Sequence, residues 1–94
     1  MPLANSTQNI TSTASRIGSV AYRIHLSVLN PTGSGATIYI GGPGVAQSNA
    51  TYALAAGDPP WIADNAPGIA TAALPWYAVT ASGTATGVCV VEGS

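Results

Sequence analysis

Few side chains in these 94 residues are suited to acid–base or metal chemistry: His25, Cys89, Asp58, Asp64 and Glu92, beside the two arginines Arg16 and Arg23. No two of the histidine, the cysteine and the carboxylates stand at the short spacings that zinc ligands keep in sequence. No nucleophile-elbow pattern surrounds any serine, so a Ser–His–Asp arrangement has no support from spacing. Asp58 precedes Pro59 in a turn pattern and Asp64 precedes Asn65 in a loop pattern. Both therefore read as turn carboxylates ahead of a general acid–base pair. Gly41-Gly42-Pro43-Gly44 follows a strand pattern, but it lacks the spaced glycines, the lysine and the following helix of a phosphate-binding loop. It reads as a tight turn. The chain is not expected to be an enzyme, and no cofactor or metal is expected.

What is missing says more. Charged residues make up 5% of the chain, with a net charge of −1 and no lysine, where ordinary soluble domains carry about a quarter. Freedom from sticking normally rests on a dense, mixed-sign charged surface. A chain without one is expected to live against other protein. Two arginines cannot supply the electrostatic footprint of a nucleic-acid binder. The uncharged run from Asn65 to Val91 is broken by Pro67, Gly68, Pro75 and Gly83, so it offers no membrane span. The N-terminus has neither the basic start nor the apolar block of a signal peptide.

The elements that must position these groups read as strands. Val20, Tyr22, Ile24, Leu26 and Val28 alternate with Ala21, Arg23, His25 and Ser27, the clearest period-two pattern present. Turn residues Asn30–Gly35 follow, then a strand over Ala36–Ile40, a shorter one over Thr51–Leu54, and another near Trp61–Ala63. Trp76–Ala81 and Ala85–Val91 read as a hairpin around Ser82-Gly83-Thr84. One helical turn is conceivable at Ile69–Ala73. The spacing predicts an all-β fold, a small antiparallel β-sandwich or barrel of about six to eight short strands. Residues 1–19, rich in Asn, Gln, Ser and Thr, are expected to form an extended polar N-terminal arm lying along a neighbouring subunit or scaffold, with 20–94 as the folded domain. With phenylalanine absent, Trp61, Trp76 and the tyrosines are expected to supply the large core pieces. Val20, Tyr22, Ile24, Leu26, Val79, Val88 and Val90 are the predicted core.

Four residues are candidates for contact with partners. Arg23 and His25 project from the face opposite the apolar stripe, and Arg16 stands where arm meets domain. Trp61 flanks a proline-rich loop, where an exposed ring would anchor a protein or stack on a sugar.

The succession IYIGGPGV (38–45), NATYALAAGD (49–58) and WYAVTASGTATGVCVVE (76–92) resembles small β-rich virion proteins of tailed bacteriophages. The resemblance spans roughly Val20 to Glu92; segment 59–75 and the N-terminal arm depart from it. It implies a capsid decoration or cement protein on the head exterior, assembled in the bacterial host cytoplasm and bound to the major capsid protein or another virion protein. A homo-oligomer is expected, a trimer above other states, with no nucleic acid and no membrane involved. The alternatives are a tail or fibre component that touches host glycan through Trp61, and a free carbohydrate-binding module.

Overall fold

The computed structural model describes residues 3–20, 23–64 and 71–94. The described residues form eight strands in the order β1 (Leu3–Ile10), β2 (Ser15–Arg16), β3 (His25–Leu29), β4 (Ile38–Gly41), β5 (Tyr52–Leu54), β6 (Trp61–Asp64), β7 (Tyr77–Thr80) and β8 (Ala85–Gly93), with one 3₁₀ turn at Thr71–Ala73. They make two four-stranded antiparallel sheets, β1-β8-β3-β6 and β2-β7-β4-β5. This is an all-β, sandwich-like fold, as the strand spacing predicts.

The core lies between the sheets. Ile10, Leu26, Val28, Ala63, Ala85, Val88 and Val90 come from the first sheet, and Ile38, Ile40, Leu54 and Ala78 from the second. Ile17 and Ala72 close it from the connections. Aliphatic side chains do the filling. Trp61 and Trp76 only pack against the core's margin, and Tyr52 is exposed. The expectation of an aromatic core fails on the tyrosines because Tyr39 and Tyr77 are partly exposed as well. Val79 is buried but pairs with Tyr39, one residue out of phase with the inward-facing Ala78 and Ile40, so it belongs to the opposite face of its sheet.

Three sequence expectations change here. The long strand from Val20 starts only at His25, and Ile24 is 46% exposed while Arg23 is fully buried. Tyr22 lies outside the described residues. The segment 77–93 is not a hairpin: β7 and β8 sit in different sheets, and Ala81–Thr84 carries the chain across the sandwich. A shared two-residue period cannot distinguish strands lying side by side from strands facing each other across a core. Among the described strands, only β4 and β5 are neighbours both in sequence and in a sheet.

The third change concerns the N-terminal arm. Its described residues, 3–19, are largely extended, but they belong to the domain. β1 pairs with β8 from Leu3↔Gly93 to Ile10↔Ala85, and β2 pairs with β7 in the other sheet. Ile10 and Ile17 are buried in the core. Gln8 ties the two strands together: its Nε2 donates to the Arg16 carbonyl at 2.8 Å, and its Oε1 accepts the Gly18 amide at 3.0 Å. Near its end the pairing shifts register between Gln8 and Ile10, opposite Gly87, whose φ of 68° makes the bulge accessible to glycine.

Candidate interaction surface

Arg23 does not face a partner. Its side chain is the largest fully buried one among the described residues. Nη1 meets Glu92 Oε2 at 2.8 Å and donates to the Ile17 carbonyl at 2.7 Å. Nε donates to the Ala72 carbonyl at 2.5 Å and Nη2 to that of Leu74 at 3.1 Å. Glu92 also accepts the amides of Ser19 and Val20, each at 3.0 Å. Burial works to raise the Glu92 pKa, but the Arg23 hydrogen bond, the two amides and the arginine's charge outweigh it and hold the carboxyl below its ordinary value. The pair fastens β8 to the 17–20 segment and to the 3₁₀ turn with its flanking Leu74. Alternation places Arg23 outside because it assumes strand at this position, whereas the strand begins two residues further on.

Arg16 is spent locally: its guanidinium donates to the Gly18 and Val20 carbonyls at 3.2 and 3.3 Å. Trp61 is half-buried, edge-on to Trp76 with centroids 5.0 Å apart and planes at 74°. The Trp76 indole donates to the Thr71 carbonyl at 2.9 Å. Asp58 behaves as a turn carboxylate, accepting the Ala55 amide at 2.9 Å. His25 does stand on the outer face of β3, where its Nδ1 lies 2.5 Å from Oδ1 of Asp64, its cross-strand partner at the end of β6. Of the four candidates, only His25 lies on the outer face of the first sheet. Among the described residues, no three of His, Cys, Asp and Glu gather as a metal site.

The structure brings together a surface that the sequence does not single out. Residues opposite one another in an antiparallel sheet share a face, so the registers define the outer side of the first sheet in rows. Leu3, Gly93, His25 and Asp64 make one row; Asn5, Val91, Ser27 and Ile62 the next; Thr7, Cys89 and Leu29 the third. Ile62 and Leu3 are 57% and 59% exposed, whereas Val91, Leu29 and Cys89 are partly covered. Along these rows, charge is confined to the His25/Asp64 corner. A shallow dish of about 580 Å³ opens over Asn5, Thr7, Cys89 and Val91. Across the molecule, a smaller apolar depression of about 290 Å³ is lined by Gly42, Pro43, Thr51, Leu74, Pro75 and Trp76.

Much of this surface belongs to β1, whose sequence LANSTQNI carries no apolar period. Its first five residues are all exposed, so burial imposes no period on them. The available signal is the pair of lone isoleucines, Ile10 and Ile17, inside an otherwise polar segment. Comparison with protein-family models, with curated proteins and with solved structures found no match.

Proposed function

We propose that the protein is a structural component of a tailed-bacteriophage virion, an accessory protein that decorates or cements the exterior of the head. The observation that carries the reading is the outer face of the β1-β8-β3-β6 sheet: continuous, nearly free of charge, and carrying Leu3, Leu29, Ile62 and Val91. Such a face recognises its partner by shape and apolar contact, since little charge is there to direct it. On a shell that repeats one surface many times, weak contacts add through multivalency, and any binder of the assembled form stabilises that form by mass action. The motif order of segments 38–45, 49–58 and 76–92 supports the same assignment. In this reading the docking element is the sheet face, with residues 3–19 serving as part of the domain.

Particles of the phage that encodes the chain provide the test. Quantitative mass spectrometry should find the protein in the head fraction, in a fixed ratio to the major capsid protein. Ile62→Asp together with Val91→Asp should leave a folded domain that no longer binds shells lacking it. Absence from particles, or undiminished binding by that variant, overturns the proposal.

The depression beside Trp76 favours a second reading, a tail or fibre component that touches host glycan, because an indole flanked by prolines suits a sugar ring. That reading predicts a low copy number in the tail fraction and loss of glycan binding in Trp76→Ala. A free carbohydrate-binding module would bind the sugar as an isolated monomer.

A further inference from the structure

We propose that β1 is the pairing edge of a homodimer: two copies join β1 to β1 in antiparallel fashion about a twofold axis at Ser6, fusing their first sheets into one of eight strands. The inference does not depend on a virion role. Among the described residues, β1 is an edge strand with β8 on one side only, so alternate backbone N–H and C=O groups point away from the sheet. At eight residues it is about 27 Å long at the usual strand rise. Among the described residues the other edges are short: β2 has two residues, β5 three and β6 four.

Proteins usually blunt an exposed edge with lysine, proline, short length or a bulge. β1 has no charge and no proline, and its bulge comes only at the Ile10 end. It is also longer than its own fold requires. Ala4 and Ser6 lie on the core side, opposite Glu92 and Val90, yet both are exposed. Only Gln8 and Ile10 reach the interior. Leu3 to Thr7 therefore form a ribbon, held on one side and bare on both faces.

The chemistry of the strand suits a copy of itself. A twofold axis sets the same strand against itself, so a charged edge would repel its mate, whereas Ser, Thr, Asn and Gln accept hydrogen bonds from one another. Register follows from the two-residue side-chain period, because outward residues must meet outward residues. Centring on Ser6 satisfies this, pairing Ser6 with Ser6, Asn5 with Thr7, Ala4 with Gln8 and Leu3 with Asn9 of the copy. The resulting symmetry is twofold, where the sequence reading favours a trimer. It also places the two sparsely charged outer faces side by side.

Two experiments test the pairing. Light scattering of the wild-type chain, up to its solubility limit, should give twice the mass of one chain. Asn5→Lys with Thr7→Lys sets four like charges across the axis and should halve that mass while the circular dichroism spectrum and cooperative unfolding persist. In a Cys89→Ser background, Ser6→Cys should form an intermolecular disulfide on mild oxidation, since paired strand residues lie within disulfide reach. A monomer at every concentration overturns the proposal. So does an oligomer that survives the two lysines, or one that the Ser6→Cys variant fails to cross-link.

Discussion

Two side-chain pairs, Arg23–Glu92 and His25–Asp64, begin two residues apart on the chain and end on opposite sides of one sheet. Arg23–Glu92 is sealed inside, at 0% and 3% side-chain exposure; His25–Asp64 stands outside at 24% and 60%. Sequence alone ranks Arg23 and His25 alike, as residues projecting from one face of the same strand. Their surroundings separate them. Inside, the carbonyls of Ile17, Ala72 and Leu74 and the Glu92 carboxylate accept the arginine's hydrogen bonds in place of water. Outside, water remains available to both partners. A charge is structural where solvent has gone, and optional where it remains.

The sharpest way to break that contrast is Arg23→Met. It strands the Glu92 carboxylate in the interior, and removing one partner of a buried pair costs about 3–5 kcal/mol. Against a typical total of about 5–15 kcal/mol, the denaturation midpoint should fall steeply, or the domain should fail to fold under ordinary expression conditions. Loss of less than about 1 kcal/mol in urea unfolding would mean that water reaches the site.

A second comparison lies within β1. Ile10→Ala should cost about 2–5 kcal/mol, because the residue is 1% exposed in the core. Leu3→Ala, at the other end of the same strand, should stay within about 0.5 kcal/mol. Equal effects would show that the ribbon of Leu3 to Thr7 contributes to the fold after all.

The same contrasts explain what is legible in the sequence. Leu26, Val28, Val88 and Val90 read as core because each strand has one face on the core, and alternation records that directly. Strand positions and turns follow from prolines and glycines. The partition into sheets is not readable, since β7 and β8 would show the same pattern in a hairpin. β1 escapes the pattern because a strand that buries almost nothing has no hydrophobic period to display. Arg23 reads as outward because burial of an arginine depends on carbonyls supplied from Ile17, Ala72 and Leu74, which no local pattern reveals. The interaction surface shares that fate: its rows combine β1, β8, β3 and β6, and only the register brings them together.

Two smaller effects sharpen the interior side. Gly18 has φ 71°, and a Cβ there would run into the Glu92 carboxylate that Arg23 holds in place. Gly18→Ala should cost at least the roughly 1–2 kcal/mol of a left-handed alanine, read as a lower unfolding midpoint. Acid gives the other effect. Because the folded state holds the Glu92 pKa below its ordinary value of 4.5, its contribution is fully present above that value and is lost as pH falls through the lowered folded pKa. Urea unfolding at descending pH should show this loss, and Glu92→Gln should remove that part of the acid dependence. An unchanged acid limb in the variant would assign the effect to another carboxylate.

The outer pair closes the comparison with the smallest effect. His25 and Asp64 face each other across β3 and β6 with solvent on their outer side, and exposed pairs contribute about 0–1 kcal/mol. A double-mutant cycle of His25→Ala and Asp64→Ala should therefore give a coupling below about 1 kcal/mol. The same cycle on Arg23 and Glu92 should give a coupling several times larger, since either single change there leaves the other charge buried without its partner. The ratio of the two couplings compares a polar side-chain contact that keeps its water with one that has lost it, at nearly the same place in the chain. Couplings of equal size would mean that the outer corner is shielded in solution, as a partner seated on that face would shield it.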